Sequence, residues 1–340
     1  MKEFSGYEKI PKNLKNLMIN DHDFRKLEKL QWVVTEKIHG ANFSFVYENG
    51  QLKFAKRKEY LSWKDDFFGF QMVVQRIENN VLQLFERLSF DIKGAKYILY
   101  GELFGGEYPH PKVTSNKHVQ AIQTGVYYTP EIEFCAFDIA IENNEKYYVS
   151  YEIAMTYFEK HDIFYARPLF VGKFNEALNF DTRIQSTIPE VFHLPKLENN
   201  LIEGIVVKPY NQKGIIENQI RPIIKLKNKE FDEEKKFHKA QKWMFTPKVS
   251  SNTEELAFLI DEIRSYITKN RLDSVVSKIG ALDKNNESRL TAIETEFLHD
   301  AIADFNEDHD QVLEELNEVQ KEWIKIRIKV DIKRVMISQF

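Results

Sequence analysis

The sequence predicts an α+β protein in which an antiparallel-sheet domain is followed by a mainly helical C-terminal domain. Short runs rich in β-branched and aromatic residues, separated by turn signals, dominate from about Trp32 to Asn228. The chain turns charged after Lys229, and apolar residues at helical spacing take over beyond it. With 340 residues, 43% hydrophobic and 29% charged, it can bury a core in each of two domains. The expected boundaries are residues 1–235 for the sheet domain, 236–248 for a linker and 249–340 for the helical domain.

The first hairpin is the clearest pair of strands. Residues 43–47 alternate, Asn49-Gly50 supplies a tight turn, and residues 52–56 return as the partner. Further strands are expected at 97–100, 133–139, 147–149, 204–208 and 222–227, with helices at 67–88 and 153–160. A turn near Thr246-Pro247 precedes the helical part. There Leu256, Ile260, Ile263 and Ile267 form one stripe, and Leu272, Val275, Val276 and Ile279 form another that stops at Gly280. Ile293 and Phe297, then Leu313, Leu316 and Val319, continue the pattern. Ile324, Ile326, Ile328, Val330 and Ile332 alternate with period two, so this last segment fits a strand or a helix.

Composition narrows the function classes. Cys135 is the only cysteine, which removes an intrachain disulfide framework and any zinc site built on several thiolates. No stretch has the apolar length of a membrane span, and residues 1–12 lack the apolar run of a secretory signal, so a soluble cytoplasmic protein is expected, in the host-cell cytoplasm if viral; a monomer is expected as a separate matter. The net charge of −4 is unevenly spread. From residue 251 to 322 there are 18 acidic and 7 basic residues, which leaves a net +7 for the rest of the chain. Basic residues cluster at 53–58 (Lys-Phe-Ala-Lys-Arg-Lys), at 225–229 and at 235–239, where phosphate contacts could form if the runs converge.

Lys37, in Thr35-Glu36-Lys37-Ile38-His39-Gly40, is the candidate nucleophile, because a lysine attacks once its environment favours the neutral amine. Lys225 and Lys227, one residue apart on a predicted strand, point to one face and could supply that environment and hold a phosphate. A Lys-x-His-Gly run is weak evidence by itself. Its force comes from order: residues 36–44, then Ala55-Lys56-Arg57, Tyr100-Gly101-Glu102-Leu103-Phe104-Gly105, residues 134–139, Glu203-Gly204-Ile205-Val206-Val207-Lys208-Pro209, and residues 224–228.

This ordered set resembles the covalent nucleotidyltransferases, the superfamily of DNA ligases, RNA ligases and messenger-RNA capping enzymes. Histidine at position 39, Asp66-Phe67-Phe68-Gly69 and residues 270–280 are similar to the RNA ligase 2 family, which includes phage nick-sealing and trypanosome RNA-editing ligases. The resemblance implies an adenylyltransferase domain that consumes ATP, with Mg2+ or Mn2+, and joins RNA, with nicked duplex RNA as the expected substrate. It implies that Lys37 attacks the α-phosphorus, expels pyrophosphate and holds AMP. Lys225 and Lys227 would stabilise the α-phosphate, Lys208 would assist at the phosphates, and Glu36, Ile38, His39 and Asn42 would line the nucleotide site. Glu102 would take a ribose hydroxyl and Phe137 would stack on adenine. Glu203 and Asp138 would act on the metal through waters. Arg57, Asn42 and His39 would face the leaving pyrophosphate first and the RNA 5'-phosphate later, with Phe67 and Phe68 against the duplex.

Two alternatives remain beside this reading. A DNA ligase or capping enzyme shares the lysyl-nucleotide chemistry, but both normally follow the Lys-x-Lys strand with a β-barrel domain, where this chain continues with helices. A non-catalytic nucleic-acid binding protein on the same fold would not need every lysine and carboxylate to be present. A P-loop enzyme is excluded by the lack of a Gly-x-x-x-x-Gly-Lys run.

Overall fold

β1 (Gln31–Glu36) and β2 (Ala41–Glu48) are consecutive in the chain but belong to different sheets, and residues 37–40 carry the chain across. The protein is described from a computed structural model at residues 4, 6–11, 25–211, 221–231, 253–309 and 311–340. It divides into two units, Met1–Glu230 and Phe231–Phe340. The expected linker at 236–248, the basic run at 235–239 and the Thr246-Pro247 turn lie outside the described residues.

In the first unit the remaining strands are β3 (Gln51–Lys56), β4 (Tyr60–Leu61), β5 (Lys96–Glu107), β6 (Thr129–Glu142), β7 (Lys146–Tyr148), β8 (Pro168–Lys173), β9 (Gly204–Pro209) and β10 (Ile224–Lys227). One sheet has the order β10-β9-β1-β8 and the other β4-β3-β2-β5-β6-β7, and every neighbouring pair is antiparallel. The β2–β3 turn has Asn49 at φ 52 and Gly50 at φ 74, the geometry that makes Asn-Gly a hairpin signal. β5 and β6 run well beyond the strands expected from alternation. Their central residues are buried on both faces, so the apolar run continues where a half-exposed strand would alternate. Tyr100 pairs with Asp138 and Gly101 with Ala136, which leaves Phe137 as the extra residue of a β-bulge.

α1 (Phe70–Asp91) and α2 (Tyr151–Lys160) cover one face of the six-stranded sheet, where Phe70, Val74 and Phe85 join Phe43, Phe45 and Leu103 in one core. α1 starts later than its periodicity suggests because Phe68 and Gly69 have φ of 50 and 66, which a right-handed helix cannot include. The opposite face, with Val46, Ile98 and Ala140, is covered by Phe4 and Tyr7 from the chain start. The four-stranded sheet has its own core of Trp32, Val34, Ile205 and Val207 under α3 (Phe174–Leu178). A short α4 (Ile188–Val191) precedes β9.

The second unit consists of α5 (Thr253–Arg264), α6 (Lys269–Ile279), α7 (Glu287–Asp308) and α8 (Glu318–Ile337) around Ile263, Leu272, Ile293, Phe297, Phe305 and Ile328. Side chains cap three of these helices: Thr268 accepts from Arg271 N, Asn286 from Arg289 N, and Asn317 from Gln320 N. Arg271 is fully buried and donates to Tyr266 O at 2.9 Å, Asp300 O at 3.1 Å and Asp304 Oδ2 at 3.0 Å, tying α6 to α7. The segment that fitted strand or helix is helix. Ile324, Ile328, Ile332 and Met336 are buried every fourth residue, and the apparent alternation comes from a second stripe on the outer face. Val319, expected in the core, is 80% exposed on that outer face. Among the described residues no helix is long and apolar enough to cross a membrane.

Candidate active site

Lys37 is the first residue after β1, and its N–H donates to Gly204 O at 2.9 Å, which extends the β1–β9 ladder past the strand end. This brings Lys37 beside Glu203, the residue before β9. Glu203 Oε2 accepts from Lys37 Nζ at 2.5 Å and lies 3.2 Å from His39 Nδ1, while Oε1 meets Lys227 Nζ at 2.9 Å. Burial would raise this carboxyl, but Lys227 and Lys37, with His39, hold it well below the usual carboxylate range. The structure thus sets a shared anion between Lys37 and Lys227, where a cation beside the nucleophile was expected. On β10, Ile224 and Leu226 join the core of the four-stranded sheet, so Lys225 and Lys227 share the opposite face.

The crossing segment is held from behind. His39 N–H donates to Tyr128 Oη at 3.0 Å, His39 Nε2 lies 3.1 Å from Thr124 O, and Gln123 Nε2 donates to Gly40 O at 2.9 Å. Ile38 is buried. Gly40 is required by a close approach, since a Cβ there would lie 2.2 Å from Leu103 O on β5. Glu36 points into the protein and accepts from Ser186 Oγ at 3.1 Å, and burial pushes its carboxyl up to about 8.

Glu102 on β5 sits opposite Asn42 on β2. Burial lifts its carboxyl to about 7 against the pull of Lys37 and Arg57. Asn42 Oδ1 is buried with no hydrogen-bond partner, an acceptor left open beside these groups. The bulge on β6 forms the other end of the site. Asp138 Oδ1 accepts from Lys208 Nζ at 2.9 Å and Arg221 Nη2 at 2.6 Å, and Oδ2 accepts from Tyr7 Oη at 2.5 Å. Burial opposes ionisation, yet Arg221 and Lys208 bring this carboxyl down to about 2. Phe137 is half-buried, with the Tyr7 ring edge-on at 4.9 Å between centroids.

Some expected roles do not match these positions. Lys208 is 2% exposed and its ammonium bonds to Phe137 O and Asp138, so it positions the bulge. Phe67 is 1% exposed inside the core with Lys56 Nζ 5.9 Å from its ring centre, so it is not a surface for RNA; Phe68 beside it is half-buried. Asp138 is not open to direct metal ligation, because both of its oxygens are taken by Lys208, Arg221 and Tyr7. Among the described residues no three His, Cys, Asp or Glu side chains form a metal cluster. The oxygens of Glu203 are likewise engaged, by Lys37, His39 and Lys227, so either carboxylate would reach a divalent ion only through bridging water.

Sequence reasoning missed Tyr7, Arg221, Tyr128 and Ser186. Tyr7 and Asp138 are 131 residues apart and Arg221 and Asp138 are 83 apart, and no local spacing marks either pair. The one available signal was a lone Arg221 next to Pro222, just ahead of the Lys-x-Lys strand.

The family model described as RNA ligase matches residues 30–227, and that described as T4 RNA ligase 2 C-terminal matches residues 250–334. The mitochondrial RNA-editing ligase 2 of Trypanosoma brucei brucei is 30% identical over 201 residues, covering 52% of this chain and 48% of its own. RNA-editing ligase 1 of the same organism is 29% identical over 238 residues, covering 60% of this chain and 50% of its own. The chain thus spans about half the length of these relatives. A Naegleria gruberi RNA ligase variant solved with ATP and Mn aligns over 67% of this chain and 58% of its own, at 14% identity and a TM-score of 0.42. Since the first match spans more than half of the chain and the second covers most of its helical unit, the chain belongs to the RNA ligase family, in its RNA ligase 2 branch.

Proposed function

We propose that this chain is an ATP-dependent RNA ligase that joins RNA 3'-hydroxyl and 5'-phosphate ends through a Lys37-AMP intermediate and an RNA-adenylate, acting at nicks in duplex RNA. The observation that carries this reading is the placement of Lys37 and Lys227 on the two oxygens of buried Glu203, at the point where the chain crosses between sheets. Membership of the RNA ligase family supports it, and similarity to trypanosome RNA-editing ligases favours RNA as the joined polymer.

The Lys37 ammonium gives up a proton to water, its Nζ forms the bond to the α-phosphorus of ATP as the bond to pyrophosphate breaks, and the second proton leaving the nitrogen also passes to water. Glu203 is held so firmly ionised that it orients the ammonium groups and does not store that proton. Lys225 and Lys227 face the phosphate as negative charge develops on it. Asn42 and Arg57 lie at the pyrophosphate side, and Glu102, half-protonated near neutral pH, can donate to or accept from a ribose hydroxyl. Phe137 offers a ring face to adenine, fixed by Tyr7 and by the bulge that Lys208 anchors. A divalent ion, Mg2+ or Mn2+, would supply charge neutralisation on the triphosphate when bound, with Glu203 reaching it through water.

Incubation with α-labelled ATP and a divalent ion tests the first step. The native protein should retain label covalently and Lys37→Ala should retain none; label on the variant rejects the assignment. A comparison of a nick in duplex RNA with the same nick in DNA tests the acceptor, and preference for DNA rejects RNA joining.

A further inference from the structure

The outer face of α8 carries Val319, Ile326, Val330 and Ile337, which are 80%, 55%, 48% and 67% exposed. At 100° per residue these four fall within about 40° of one another, directly opposite buried Ile328. One helix therefore has two apolar faces, of which only one is used by the helical unit. Isolated apolar side chains on a surface need no explanation, but four aligned on one helix face, spaced 7, 4 and 7 residues apart, do.

The stripe reads the same from either end. Val319 and Ile337 are equidistant from Ile328, and so are Ile326 and Val330. An isologous contact demands this, because a two-fold axis sets each residue against the mirror position of an identical helix. In such an antiparallel pair each flank of the helix meets the same flank of its copy. Glu322 and Lys333 lie on one flank and Trp323 and Arg334 on the other, so Glu322 comes opposite the second copy's Lys333, and Trp323 opposite its Arg334. Lys333 also reaches Glu294 at 3.5 Å but remains 61% exposed, and Arg334 is 76% exposed. An RNA backbone is a poorer occupant, since aliphatic side chains give a phosphate nothing in return for its lost water.

We propose that this face of α8 is a self-association surface, on which a second copy of this chain packs its own α8 antiparallel, centred on Ile328. The contact replaces the expected monomer with a weak dimer. One helical stripe buries less than a standard interface, so a dissociation constant on the order of micromolar is expected.

Sedimentation of the full chain over a range of concentrations tests this. The mass should rise from 40.3 kDa toward twice that value. Ile326→Glu should hold it at the monomer mass with an unchanged circular dichroism melt, because the position is exposed. Glu322→Lys and Lys333→Glu should each weaken association roughly tenfold, and the double exchange should restore it. A monomer at every concentration overturns the proposal. So does a dimer that survives Ile326→Glu, or a double exchange without rescue, which would mean another surface or another register. If Ile326→Glu lowers RNA sealing while the native chain stays monomeric, the face serves RNA, and the proposal fails.

Discussion

At the scale of single residues, the buried carboxylates of the first unit divide by what surrounds them. Glu203 has three cationic or potentially cationic neighbours and is held ionised. Glu36 has a hydroxyl from Ser186 and a low-dielectric surrounding, and is held neutral until about pH 8. Glu203→Gln keeps the shape but removes the charge that Lys37 and Lys227 share. Adenylylation should fall at least about 100-fold, read as label incorporated per minute. Because both lysines retain some water contact, the stability loss should be modest, about 1–3 kcal/mol in urea titration. For Glu36 the linkage has the opposite sign to that of an ion-paired acid. A carboxyl raised from 4.5 to about 8 binds its proton more tightly in the folded state, so stability declines as pH rises through that window and is lowest above it. Unfolding measured at pH 5 and pH 8 should show that decline, and Glu36→Gln should remove roughly 2–4 kcal/mol of it. An unchanged slope would mean that Glu36 is ionised in the folded protein.

At the scale of elements, the site rests on a crossing segment, a bulge and a strap. Residues 37–40 pass between sheets only because Gly40 lets the backbone approach β5, so Gly40→Ala must push Lys37 or Leu103 aside. Adenylylation should drop more than 10-fold, with a stability loss of about 2–4 kcal/mol seen in thermal unfolding. Residues 6–11 form the strap. Tyr7 Oη accepts from Arg221 Nη1 at 2.7 Å and donates to Asp138, so Tyr7→Phe leaves both partners short of a bond. A stability cost of about 1–3 kcal/mol should follow. The KM for ATP should rise more than the maximal rate falls, since the contacts of Tyr7 include neither Lys37 nor Glu203. An unaltered KM would separate the strap from nucleotide binding. The hairpin β2–β3 was legible because Asn49-Gly50 encodes its turn locally, and Lys225 and Lys227 because strand alternation sets their face. The bulge at Phe137 and the strap were not legible. They depend on register and on pairing across 131 residues, which no window of sequence contains.

At the scale of the molecule, the groups that meet at Glu203 all come from the first unit, and each unit has its own hydrophobic core. The change in periodicity after Lys229 marked two kinds of structure, because helical and strand periods differ whatever the packing. The two apolar faces of α8 were harder to see, since two stripes on one helix add up to a period-two pattern. A chain ending near Lys248 keeps Lys37, Glu203, Lys225 and Lys227 with the cores that position them. It should therefore take up label from α-labelled ATP at close to the rate of the full chain. Under the proposed function, sealing needs more, because an RNA duplex would have to be held while AMP moves to its 5'-phosphate and the 3'-hydroxyl attacks. On the proposed function the helical unit would bring cations for that contact, with Lys325 and Lys329 on α8, despite its acidic balance overall. The truncated chain should thus lose sealing of nicked duplex RNA by about 100-fold or more while remaining adenylylated. Full sealing by the shortened chain would assign RNA engagement to the first unit alone, and loss of adenylylation would show that the helices also support the chemistry at Lys37.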